Sequence, residues 1–329
     1  MDQAWAAAAG NLKGWLISLA LWATLILLYV GVQMARTPGR TFVRLDPQLA
    51  EIIQVKARLQ PITGGMDQPG DAADDYNRAV LECIASNNYE TILPETRLRE
   101  LRRPEEFTLG GPDYLLAGAQ KEEMHYTSRY TQPVDWFGKR LPHCRAFEQI
   151  GRYSVAKARL YARTGQPKEA EKLLKAVMIL GYRVDRERVR LQGTYTGLGL
   201  QSMAGNALLE VYKDSEQPEK AQAVQEYLAA LREALLQIES KARETVGRLN
   251  GDTPPTAELI WLVDNDKDRM WRIEAALKLG LTKWTAVRAE DRDASREKLL
   301  ELQQDPDALV REAAAAGLLV SAEDTHKVR

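Results

Sequence analysis

The sequence predicts an all-α protein, with a single N-terminal transmembrane helix followed by an α-solenoid-like body of helical repeats. Three observations lead there. A run of 21 residues, opening at Gly14 and ending at Met34, carries no charged side chain. The rest of the 329-residue chain is rich in Ala, Leu, Glu, Arg and Lys, has only four Phe, and contains no alternating run of β-branched residues. Near the C-terminus a helical pattern recurs at a fixed offset of 39 residues.

The apolar run is a membrane span because hydrocarbon leaves no partner for an unpaired backbone group, so an isolated segment of this kind is helical. At ~1.5 Å per residue it covers the ~30 Å core of a bilayer. It is too long for a secretory leader, and Gln33 stands where a cleavage site needs a small residue. Trp15 and Tyr29 lie near its ends, where amphipathic rings favour the interface. Lys13 precedes the span and Arg36, Arg40 and Arg44 follow it, which places the body on the cytoplasmic side, with the opposite face as the alternative.

The remaining organisation reads as a tail (1–13), the span (14–34), a Pro- and Gly-punctuated tether with one short helix (35–70), a helical domain (71–250) and terminal repeats (251–329). With 45 basic and 46 acidic residues the net charge is -1, so no global field draws nucleic acid. Two cysteines, Cys83 and Cys144, allow at most one bridge. The stretch 89–141 is irregular and gathers Phe107, Tyr114, Tyr126, Tyr130, Trp136 and Phe137, either a binding surface or a plug for the end of a helical stack.

In AKARLYARTGQPKEAEKLLKAV, Ala158, Tyr161, Ala170 and Leu174 alternate small and large around a turn at Gly165, and Tyr212 and Ala221 repeat part of that spacing. This resembles a tetratricopeptide repeat, which implies helix pairs with small residues at their crossings. Between the copies, TGLGLQSMAGNALL has the small residues that let another helix come close. From Ala221 through Val224, Leu228, Leu231, Leu235 and Ile238 to Ala242, apolar residues fall three and four apart, the seam of a long helix packed on its neighbours or of a coiled coil.

DRMWRIEAALKLG and DALVREAAAAGLL align at the 39-residue offset, pairing Asp268 with Asp307, Arg272 with Arg311 and Ala275 with Ala314. They resemble HEAT repeats, whose usual spacing is ~40 residues. The resemblance implies that Arg272 and Arg311 make polar contacts from repeat to repeat. The second copy, with little chain after it, reads as a cap or truncated unit.

Chemistry is sparse. Asp264, Asp266 and Asp268 have the alternation of a calcium loop, but Arg269 and Ala275 stand where its Gly and closing Glu belong, so these carboxylates are expected to serve a helix N-terminus. His143 and Cys144 are sequence neighbours, which seldom converge as base and nucleophile. No catalytic centre, cofactor, metal or small-molecule substrate is predicted. The asymmetry that remains is electrostatic: residues 97–190 hold 20 Lys and Arg against 12 Asp and Glu. Helical spacing gathers Arg145, Arg152, Arg159 and Arg163 on one face and Arg183, Arg186 and Arg190 on another, a surface for an acidic protein partner or anionic lipid. The predicted function is a membrane-anchored scaffold for protein–protein interaction, with an assembly subunit acting by self-association as the alternative and an enzyme as a remote third.

Overall fold

The computed structural model describes residues 59, 62–64, 68–87, 111–137, 141–249, 256–285 and 288–320. All belong to one compact unit, Leu49–Arg329. The predicted span at 14–34 lies outside the described residues, as do the tail, most of the tether and Phe107. Among the described residues no helix is long and apolar enough to cross a membrane.

The described chain is mostly helical. In order it forms β1 (Gln68–Asp71), α1 (Ala73–Asn87), α2 (Pro112–Gln120), β2 (Lys121–Glu123), α3 (Tyr126–Tyr130), a 3-10 turn (Pro133–Phe137) and α4 (Pro142–Arg163). Then follow α5 (Pro167–Glu187), α6 (Leu191–Asp214), α7 (Pro218–Leu249), α8 (Thr256–Asn265), α9 (Arg269–Thr285), α10 (Ala289–Leu302) and α11 (Ala308–Leu319). This agrees with the all-α expectation, to which the structure adds one short parallel β1–β2 pair. Its residues are polar and mostly exposed, so no alternating pattern announced it. The Asp71 carboxylate secures it by accepting from the backbone N–H of Ala73 (2.9 Å) and His125 (3.1 Å).

Proline sets the start of α4, α5 and α7, where its missing N–H costs no helical bond. The α4–α5 turn is repeated 51 residues later between α6 and α7. Gly165 donates to Ala162 O and Gln166 to Tyr161 O, closing α4 with a left-handed residue at φ 79°. Glu216 donates to Lys213 O and Gln217 to Tyr212 O, with Glu216 at φ 55°. The hydroxyls of Thr164 and Ser215 bond back to Leu160 O and Val211 O. Matching bonds on different side chains mark two copies of one supersecondary unit.

Between the two hairpins, α5 and α6 touch backbone to backbone. A Cβ on Gly181 would meet Gly197 O at 2.6 Å, and one on Gly197 would meet Gly181 O at 2.5 Å. The small residues of α6 thus serve the close approach their composition suggests. Leu174, Met178, Ala204, Ala207, Leu208, Val224 and Tyr227 fill the shared core. The seam of α7 faces this core through Val224, Leu231 and Ile238, which is packing on its own neighbour α6.

The terminal repeats differ from the expectation in one respect. Each matching segment, α9 and α11, is the second helix of a pair, and its partner precedes it, α8 before α9 and α10 before α11. The last unit is therefore complete, because the pattern visible in sequence belonged to the second, more buried helix. Both units open their second helix alike. The Asp266 carboxylate accepts from Asp268 N (2.9 Å) and that of Asp268 from Met270 N (3.1 Å); Asp305 and Asp307 do the same for Asp307 N (2.8 Å) and Leu309 N (2.9 Å). The aspartates are turn and cap residues. Trp136, Phe137, Leu141, Cys144 and Val189 enter the core of these repeats beside Leu259, Ile273, Leu299 and Val310. The described aromatics of the irregular stretch are mainly internal, Tyr130 being the exposed ring.

Candidate functional site

Helix α4 turns its apolar face inward through Cys144, Phe147, Ile150, Val155 and Ala158, all buried, and packs against α1, α5 and α6. Its described exposed positions are Arg145, Arg152, Arg159 and Arg163, and every one is arginine. Seven residues span about 10.5 Å of helix and drift only about 20° in angle, so Arg145, Arg152 and Arg159 form a nearly straight stripe. Arg159 grips Glu210 of α6 with two bonds of 3.2 Å. Among the described residues no carboxylate pairs with Arg145, Arg152 or Arg163. Forked, permanently charged donors at regular intervals can take carboxylates or phosphates in register.

The second predicted face is not a surface. Arg183 is 4 % exposed and turned inward, its Nη1 donating to Tyr76 OH (2.8 Å) and Gly118 O (2.5 Å). It thereby ties α5 to the C-terminal carbonyls of α2, where a helix dipole favours a cation. Burial pushes the Tyr76 phenol up to about 12. Arg190 is drawn into an ion pair with Glu274 of α9 (2.6 Å). Only Arg186 of the three is exposed, its guanidinium 5.8 Å from the centre of the Tyr182 ring. Helical spacing puts these charges on one side, but α5 is covered almost all round, so that side is not open to solvent at Arg183.

What sequence reasoning missed is a charged junction between α5–α7 and the terminal repeats. Arg188 ends α5 at φ 49° and reaches both Asp185 (3.2 Å) and Asp268. Lys241 of α7 pairs with Asp266 (2.8 Å) while lying over the Trp271 ring (5.3 Å), and Arg269 donates to Glu187 O (2.7 Å). Burial raises the Asp185 carboxyl to about 6, against the pull of Arg188, and the Asp268 charge adds to the rise. The next layer repeats the scheme, with Arg272 of α9 bonded to Asp305 and Arg269 3.6 Å from Asp307. Arg272 is thus the repeat-to-repeat contact the resemblance implied. Arg311 is not, since it donates to Asp305 O (2.6 Å) and Pro306 O (3.1 Å) in its own unit. The Asp-x-Asp that recurs as Asp266/Asp268 and Asp305/Asp307 was the available signal for the acidic side; no spacing named its cationic partners.

His143 and Cys144 are both buried, and burial acts on them in opposite senses. The imidazole is held down at about 4 and the thiol is pushed up to about 12, the reverse of an activated thiolate pair. Comparison with protein-family models, with curated proteins and with solved structures finds no match to this chain.

Proposed function

We propose that this protein is a membrane-anchored scaffold: residues 14–34 span the bilayer, and tetratricopeptide-like and HEAT-like helix pairs form an α-solenoid-like body that holds a partner protein along α4. The observation that carries this reading is that each described exposed position of α4 is an arginine. Solvated helix faces ordinarily mix both signs of charge, because unlike charges three or four residues apart stabilise the helix and like charges oppose it. A single-sign stripe forgoes that support and suits an external anion. Its spacing matches an acidic helix with carboxylates at every seventh residue.

The test is capture of partners from solubilised membranes by the full-length chain and by the Arg145→Glu, Arg152→Glu, Arg163→Glu variant. These side chains are exposed, so the substitutions remove no buried contact, and circular dichroism checks the fold in parallel. Expected is the loss of specific proteins from the captured set, a loss mimicked in the wild type by high salt, since rim charges are screened over ~8 Å at physiological ionic strength. Identical sets at low salt would remove the stripe from the account. Flotation with phosphatidylserine vesicles separates a lipid role from a protein one.

A further inference from the structure

The repeats carry a second surface of opposite character, independent of the arginine stripe. Trp261 on α8 is 48 % exposed and Leu300 on α10 is 51 % exposed. They are 39 residues apart and therefore hold the same place in successive units. The adjoining Leu299 and Leu302 are buried and fill the space between the helices, so Leu300 is not needed inside. Carboxylates border the two apolar side chains. Lys298, itself nearly buried, places its Nζ 2.5 Å from Asp264 on α8 and 2.8 Å from Glu301 on α10, which brings these acids together across the two helices. Glu297 is exposed one turn before Glu301, and Arg296 is the exposed cation beside Leu300.

From this we infer that the α8–α10 face is a docking site for a basic amphipathic helix of another protein. Large apolar groups that recur with the repeat and stay half in water mark a contact surface, and aromatic anchors supply most of the energy of such contacts. Around the two apolar groups three carboxylates, Asp264, Glu297 and Glu301, stand against two cations, Lys298 and Arg296, so the rim keeps a net negative charge that favours a cationic partner. The junction inside the protein shows the same chemistry, where Lys241 lies over Trp271 and pairs with Asp266. Helices packed side by side have axes ~8–10 Å apart. Two anchors on a helix laid across α8 and α10 therefore sit about seven residues apart, ~10.5 Å along its axis, with Lys or Arg flanking them.

The probe is a fluorescent synthetic Leu/Lys helix with leucine at i, i+3, i+4 and i+7, titrated into the full chain in neutral nanodiscs with empty discs subtracted. Saturable binding is expected, weakened at least about tenfold by Trp261→Ser with Leu300→Ser, and likewise by Glu297→Lys with Glu301→Lys. A peptide of the same composition with the leucine stripe scrambled, and one with Glu in place of Lys, should bind at least about tenfold more weakly. The proposal is overturned if the serine variant keeps the wild-type affinity or if the Glu peptide binds equally well. It is also overturned if sedimentation velocity shows a self-associated wild type that the serine variant dissolves, which would make a second copy the occupant.

Discussion

Replacing Asp185 by Asn should make the protein more stable at neutral pH, by an amount the structure lets one work out. The carboxyl sits beneath α6 between Arg188 and Thr194, with Asp268 also on Arg188, and burial raises it from 3.8 to about 6. The unfolded chain ionises this group near 4, whereas the folded chain keeps the proton until about 6. Its stabilising contribution is therefore complete below pH ~4 and is lost as pH rises through ~6. At ~1.4 kcal/mol per pH unit the loss amounts to about 3 kcal/mol. Asparagine keeps the shape of the protonated acid and never ionises. The variant should therefore match the wild type near pH 4 and exceed it by up to about 3 kcal/mol at pH 7.5. Paired urea titrations at several pH values give the difference directly, and carboxylates away from Arg188 cancel because both proteins share them. Parallel stability profiles for the two proteins would refute the reasoning, and so would a variant less stable at pH 7.5. Either result would mean that the Arg188 attraction outweighs desolvation and that Asp185 is ionised throughout.

The two matching turns make a second test. A Cβ on Gly165 would touch nothing within 4 Å, so Gly165→Ala loses only left-handed backbone freedom, about 1 kcal/mol. Glu216→Gly should gain a similar amount, and the double variant should melt close to the wild type; a neutral Gly165→Ala would break the assignment. Arg272→Ala removes the guanidinium from the largely buried Asp305 carboxylate and should cost about 2–4 kcal/mol, with faster hydrogen exchange confined to α10 and α11. Arg311→Ala loses only bonds to its own turn and should cost about 1 kcal/mol; equal effects of the two would count against the repeat-to-repeat role of Arg272. Residues 46–329 expressed alone should remain soluble with a mainly helical far-ultraviolet circular dichroism spectrum, and a strand-dominated spectrum would contradict the fold.

Several elements could be read from the sequence because their causes are local. Pro142, Pro167 and Pro218 mark helix starts, and the Gly165 turn separates two runs of helical periodicity. The 39-residue recurrence identifies α9 and α11, since repeated packing demands repeated alanines at the same places. The α4 stripe was legible too, because arginines seven residues apart share a helix face whatever lies behind it. Tertiary structure decided the rest. Whether an arginine points outward depends on how many neighbours its helix has. α4 keeps a free side and shows its arginines, while α5 is enclosed by α2, α4 and α6 and draws Arg183 inward. The junction of Arg188 with Asp268 joins residues 80 positions apart, and no periodicity encodes such a pairing. The partner helix of the last repeat stood before its match, in a segment too charged to show an apolar stripe. A sequence fixes what repeats along the chain through local sterics and hydrophobic period; which charges are buried, and against which partner, follows only from the packing of distant segments.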